Sequence, residues 1–147
     1  MFTTNEILVD SSILIEAIKG TRTALLKKLV DEHQGNCFID VTVVSEFMFY
    51  FLAVNSTVAP LTLKMQRKIP KLLQHNKNFE LLHAFKFLYS DDRLMTLVPE
   101  FMAKYNLLPN DSIILATCKI HGIKNLASYV SELQSPCNAE GIQFITE

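Results

Sequence analysis

Asp10, Glu46 and Asp111 each stand where an apolar run gives way to a helix-opening pattern. The three segments are Ile7-Leu8-Val9-Asp10-Ser11-Ser12, Val41-Thr42-Val43-Val44-Ser45-Glu46 and Pro109-Asn110-Asp111-Ser112-Ile113-Ile114. In a parallel α/β sheet such positions collect outside the carboxyl ends of the strands, where the ligands of open sheets bind. Carboxylates converging in one crevice repel one another unless a cation or a shared proton relieves them. A hard, oxygen-loving ion, Mg²⁺ or Mn²⁺, suits such a donor set, and the three acids are expected to converge on one ion. Glu46 carries the most weight. It interrupts a stretch from Val41 to Val54 that is otherwise bare of charge, and a carboxylate facing an apolar core needs a partner. Asp10 and Asp111 also have plain structural readings, as a strand end and as a helix N-cap.

The elements that would position these acids follow from apolar spacing and turn residues. Ile7–Val9 reads as a buried strand, followed by a helix from Ile13 to Lys19 that Ser11 or Ser12 caps and Gly20 stops. Thr21 or Thr23 opens a second helix through about Glu32. Cys37–Ile39 forms a second strand leading to Asp40, and Thr42 caps a helix from Val43 to about Val54. That helix carries Phe47, Met48, Phe49, Tyr50, Phe51 and Leu52 in succession, so it is either buried or an oligomer interface. A helical stretch from about Pro60 to His75 is kinked or divided by Pro70. Phe79–His83 alternates as a third strand, and Ser90-Asp91-Asp92 opens a helix to about Tyr105. Another helix runs from Asp111 to about His121, closed by Gly122, and Lys124–Ala127 and Gln143–Ile145 supply two more strands. The alternation argues for one domain over residues 1–147, with a largely parallel sheet and helices on both faces.

Composition narrows the classes. The chain has 147 residues, 49% hydrophobic and 20% charged, which fits a globular domain with a sizeable core. A net charge of −1 gives no global attraction to polyanions, so any such site must be local. Cys37, Cys118 and Cys137 lack a CxxC spacing, which argues for reduced thiols and against zinc. The first residues lack the basic-then-apolar pattern of a signal peptide, and no apolar run spans a bilayer. The chain reads as soluble and cytoplasmic.

In order and context these segments resemble the PIN-domain family, which includes the ribonuclease toxins of the VapBC toxin–antitoxin class. Ile7–Ile15 is similar to that family's opening strand, aspartate and helix, Val41–Glu46 to its second motif, and Leu108–Ala116 to its third. Leu126-Ala127-Ser128 resembles the start of the fourth. The resemblance implies a three-layer α/β/α sandwich around a mainly parallel, roughly five-stranded sheet. It further implies a Mg²⁺- or Mn²⁺-dependent ribonuclease with Asp10, Glu46 and Asp111 as metal and catalytic residues, an antitoxin partner and a homodimer. One position departs from the family: Val130 stands where a fourth aspartate is usual. Glu132 either replaces that acid as a metal ligand or is a surface residue. Val130 also keeps open a domain without turnover that binds RNA or protein.

In this setting a bound Mg²⁺ would activate water and hold phosphate oxygens. Ser12 and Ser128 are candidates for binding the scissile phosphate or for orienting the acids, and Ser11, Ser12 and Ser112 also read as helix caps. Lys64, Arg67, Lys68 and Lys71 follow i, i+3, i+4, i+7 spacing in a segment from Phe47 to Phe79 without acids. They would line one helical face, as a phosphate-tracking stripe or as a solvated lysine face. A generic nucleotide-binding domain is disfavoured, because Asp10-Ser11-Ser12-Ile13 has no glycine for close approach to a pyrophosphate.

Overall fold

Five short strands form a single sheet in the order β3-β2-β1-β4-β5, with every neighbouring pair parallel. They are β1 (Ile7–Val9), β2 (Cys37–Asp40), β3 (Lys86–Leu88), β4 (Asn125–Ala127) and β5 (Gln143–Ile145). The computed structural model of the chain describes residues 5–147; residues 1–4, part of the stretch read above as lacking a signal peptide, lie outside the described residues. Ile7, Leu8 and Val9 are wholly buried, as expected for a central parallel strand covered on both faces, where the pattern is a continuous apolar run. The chain runs from β1 to β2 on one side, and β4 later docks on the other. The strand order therefore reverses between β1 and β4, and a crevice opens at that point.

Helices cover both faces of the sheet, giving the expected α/β/α sandwich. They are α1 (Ser11–Lys19), α2 (Ala24–Glu32), α3 (Val41–Val54), α4 (Pro60–Met65), α5 (Ile69–His75), α6 (Leu94–Tyr105), α7 (Pro109–His121) and α8 (Gln134–Ala139). Gly20 ends α1 and Gly122 ends α7, at φ 73° and 66°, a left-handed conformation that glycine adopts without a Cβ clash. Among the described residues no helix is long and apolar enough to cross a membrane.

Several local expectations are corrected. Asp40, not Thr42, caps α3: its Oδ1 accepts the Val43 N–H at 2.9 Å. Helix α2 opens at Thr23, the second of the two threonines expected there, while the Thr21 hydroxyl is tied back to Glu16 of α1. Phe79–His83 is no strand but part of a 3₁₀ turn over Asn78–Ala84. Phe79 meets Phe51 edge-on there, with ring centroids 5.7 Å apart, so apolar packing and not a strand ladder explains its pattern. The strand follows, as β3 at the sheet edge. Asp91 hydrogen-bonds the Arg93 backbone and guanidinium, and α6 begins only at Leu94. Helix α8, formed by Gln134–Ala139, was not expected at all.

The break between α4 and α5 falls at Gln66–Lys68, with Arg67 at φ 54°. Pro70 sits harmlessly in the first turn of α5, where its missing N–H has no helical partner to lose. Lys64 thus lies on α4 and Lys71 on α5, and the basic residues do not share one continuous helical face.

Helix α3 has two characters. Phe47 and Phe51 are fully buried, whereas Phe49 is 53% and Tyr50 47% exposed. Phe51→Ala should therefore destabilise the fold by about 3–5 kcal/mol, the usual cost of emptying a buried phenylalanine site. Phe49→Ala should stay within about 0.5 kcal/mol at dilution. Urea titrations of the two variants check the contrast, and equal losses would show that α3 is buried all round.

Candidate active site

The crevice at the β1–β4 switch holds Asp10. Its backbone N–H bonds the Ala127 carbonyl at 2.9 Å, extending the ladder one step beyond the strands. Asp10 is the N-cap residue of α1 yet makes no side-chain capping bond. Its carboxylate is held from the side instead. Oδ2 accepts the Ser12 hydroxyl at 2.8 Å and the Ser128 hydroxyl at 2.7 Å. Ser12 Oγ in turn accepts the Tyr129 N–H at 3.0 Å, and Ser128 Oγ accepts the Val130 N–H at 2.9 Å. Asp10 is only 2% exposed, and Oδ1 takes no hydrogen bond among the described residues.

Glu46 reaches the same crevice from the second turn of α3. Its Oε1 is buried and has no hydrogen-bond partner. Burial foremost, then the charges of Asp10 and Asp111, push its pKa up from 4.5 to about 7, with the nearby Asn110 amide pulling the other way. Asp111 lies in the first turn of α7, where the helix dipole favours a negative charge. It is not the N-cap, a place taken by Leu108. Its pKa is raised too, by burial first, then by Asp10 and Glu132.

Asp10, Glu46 and Asp111 line one pocket of about 410 Å³, and Val130 lines it with them. The side chains do not close into a cage: among the described residues no three acidic, histidine or cysteine side chains are grouped to hold a metal ion. The three acids expected on one ion share a pocket without forming a finished ligand set. Like charges without a counter-ion hold one another off. An unpartnered buried carboxylate oxygen aimed among other acids nonetheless fits a divalent cation. Mg²⁺ suits this open donor set, since it keeps several waters and takes one or two carboxylates directly.

The remaining candidates divide. Glu132 is exposed, on a 3₁₀ turn over Ser131–Leu133, and does not line the pocket, although its charge is felt at Asp111. Lys64, Arg67, Lys68 and Lys71 are all exposed and stand outside the pocket lining. Ser112 donates to the Leu108 carbonyl at 3.0 Å, a bond within its own helix and not a cap. Asp40, passed over in the sequence, is a fourth acid close enough to raise Glu46. It is fully buried and already bonded twice, by the Val43 N–H and by the Thr117 hydroxyl at 3.1 Å. Its signal was an aspartate ending an apolar run, as at Asp10. Asn110, Tyr50, Tyr129 and Arg22 also belong to the neighbourhood, and nothing in their local sequence marks them.

The PIN domain family model matches residues 7–130, and the chain belongs to that family. It is 34% identical over 128 residues to Ribonuclease VapC2 of Methanocaldococcus jannaschii, covering 85% of each chain. It is 30% identical over 148 residues to Ribonuclease VapC6 of the same organism, covering 88% of this chain and 92% of the relative.

The raised Glu46 gives a pH dependence of known sign. In the metal-free protein the folded state holds its proton up to about pH 7, whereas the unfolded chain releases it near 4.5. Between those values the folded state binds more protons, so stability falls as pH rises. Glu46→Gln should flatten that decline and raise the melting temperature at pH 8 in chelator. A Glu46→Gln protein with the wild-type pH profile would show that Glu46 is not strained.

Proposed function

We propose that this chain is a Mg²⁺- or Mn²⁺-dependent endoribonuclease. The observation that carries the reading is the buried, unpartnered Glu46 oxygen facing Asp10 and Asp111 in one pocket. The ribonuclease names of the two relatives, together with the shared family, support RNA as the substrate. Asp10, Glu46 and Asp111 would hold the ion. When bound, it supplies an acidified water and positive charge for phosphate oxygens.

The protein's own part is positioning. Ser12 and Ser128 each direct their hydroxyl proton to Asp10 Oδ2, and a serine hydroxyl has one proton to donate. Their role is therefore to orient Asp10 and leave Oδ1 free, not to bind phosphate. Glu132, exposed on its turn, acts through charge at Asp111 and not as a ligand. The cations from Lys64 to Lys71, interrupted by the α4–α5 break, serve at most as an outer track for the RNA chain.

Two partners go with this reading. A small antitoxin protein would make the chain the toxin of a pair, as the family resemblance suggests. A second copy of the chain would cover Phe49 on α3 and Leu61 and Met65 on α4, which are 53%, 67% and 76% exposed. Sedimentation at micromolar concentration is expected to show a dimer that Phe49→Glu dissociates. A wild-type monomer at that concentration would remove the second partner.

Cleavage of single-stranded RNA with Mn²⁺ is expected, with Asp10→Asn losing at least about a hundredfold in kcat, a loss on the scale of removing one electrostatic group from an active site. Because Val130 lines the pocket, Val130→Asp should strengthen Mn²⁺ binding and raise kcat, whereas Glu132→Gln should change either by less than about twofold. If the wild type binds RNA without cleaving it and Val130→Asp restores cleavage, the chain is a binding module and not an enzyme.

A further inference from the structure

The pocket does not end at the acids. It runs as a groove between α1 and α3, bounded by Ser12, Ile15 and Lys19 on one helix and by Glu46, Tyr50 and Val54 on the other. Each set recurs at helical spacing, so each forms one face. Ser12 and Lys19 are seven residues apart, about 10 Å along the helix axis, and Arg22 and Tyr129 line the groove with them. The Arg22 guanidinium carbon lies 3.6 Å from the centroid of the Tyr129 ring. Three hydrogen bonds fix this stack. The Tyr129 backbone donates to Ser12, which itself holds Asp10. Glu147 binds both members, accepting from Arg22 Nε at 3.2 Å and from the Tyr129 hydroxyl at 3.2 Å.

Lys19 and Arg22 are the cations of the pocket lining, and they are not equivalent. Lys19 is paired with Glu16 at 3.1 Å, and Glu16 lines the same pocket. Arg22 is paired with Glu147, which does not line it. Arg22 thus brings positive charge to the groove while its hydrogen-bonded carboxylate sits outside, with Glu16 in the lining feeling its charge more weakly. Its terminal nitrogens have no hydrogen-bond partner among the described residues. The Arg22–Glu147 pair is well exposed, at 42% and 38%, so solvent screens it and a competing anion displaces it readily. A planar guanidinium stacked on an aromatic face suits a phosphate diester, which it engages through two parallel N–H bonds. Single-stranded nucleic acid is bound by this combination of backbone cations and aromatic faces.

We propose that Arg22, held over the ring of Tyr129, is a substrate-positioning residue that binds an RNA phosphate beside the scissile one, and that Glu147 is the anion this phosphate displaces. The inference rests on the ribonuclease reading above. It places the substrate in the α1–α3 groove and not along Lys64–Lys71.

The test measures cleavage of a labelled single-stranded oligoribonucleotide with Mn²⁺, and its binding to an Asp111→Asn background without turnover. Arg22→Ala should raise KM about tenfold and leave kcat within about twofold. It should also make the slope of log affinity against log salt shallower by about 0.7, the contribution of one phosphate contact on a single strand. Arg22→Lys should restore the slope but only part of the affinity. Glu147→Gln should lower KM about two- to threefold, and it decides the question with Arg22→Lys if Arg22→Ala does not fold. Lys64→Ala with Lys68→Ala should shift KM by less than Arg22→Ala does. A wild type that cleaves, beside Arg22 and Glu147 variants with unchanged KM and salt slope, overturns the role of Arg22 and leaves the ribonuclease reading standing. A wild type that does not cleave, with Mn²⁺ present, overturns both.

Discussion

The parallel pairing of β1 with β4 is the constraint on which the carboxylate edge depends. Its register sets Val9 opposite Ala127, so the next residue on each strand, Asp10 and Ser128, meet just beyond the ladder. Their 2.7 Å hydrogen bond joins residues 118 apart in sequence. A slip of one residue would turn every side chain of the strand to the other face, and Asp10 would leave the crevice. Three-residue strands offer few ladder bonds to resist such a slip. The full burial of Ile7, Leu8 and Val9, with Leu126 and Ala127 beside them, makes any other register expose core.

Around this fixed aspartate the structure keeps a set of charges in tension. The pKa of Asp40 is raised by burial, and its bonds offset part of that cost, since it caps α3 and accepts from Thr117 of α7. That acid belongs to the scaffold. It sets where α3 starts, and hence where Glu46, in the second turn, enters the crevice. Asp111 gains from the first turn of α7. Glu46 has no such compensation at Oε1. Within the crevice this leaves a buried carboxylate oxygen bare beside other acids, a local cost of the kind that functional sites commonly carry against the rules of a stable core.

The packing of α1 on α3 extends that point into a groove. Asp10 precedes α1 and Glu46 lies on α3, so the contact that closes the core on this side also fixes the distance between two acids. It carries Lys19 and Tyr50 along the same faces, and through the Ser12–Tyr129 bond it ties the Arg22 stack to the orientation of Asp10. Buried Phe47 and Phe51 anchor α3 from beneath, leaving its other side to the groove and to solvent. A single helix thus serves as core, as site wall and as exposed surface.

Much of this was written in local pattern. Apolar runs ending in acid announced β1 and the second turn of α3, the glycines at 20 and 122 ended their helices where expected, and alternation of strand and helix gave a parallel sheet. These features are set by neighbours within a few residues, through dihedral preference, capping and periodic burial, and the order of the motifs carried the family. What local pattern misjudged were elements whose identity depends on distant contacts. Phe79–His83 has strand-like alternation, but Phe51 claims Phe79, and an edge strand forms three residues past its end. The cationic spacing from Lys64 to Lys71 assumed one helix, and the turn at Arg67 divides it. Only the tertiary structure decided that Ser12 and Ser128 hold Asp10, that both Asp40 oxygens are bonded while Glu46 Oε1 is not, and that Arg22 lies on Tyr129. Each of these depends on which side chains from separate elements meet. That is fixed by sheet register and helix packing over separations as long as the 118 residues between Asp10 and Ser128, where no local periodicity carries information.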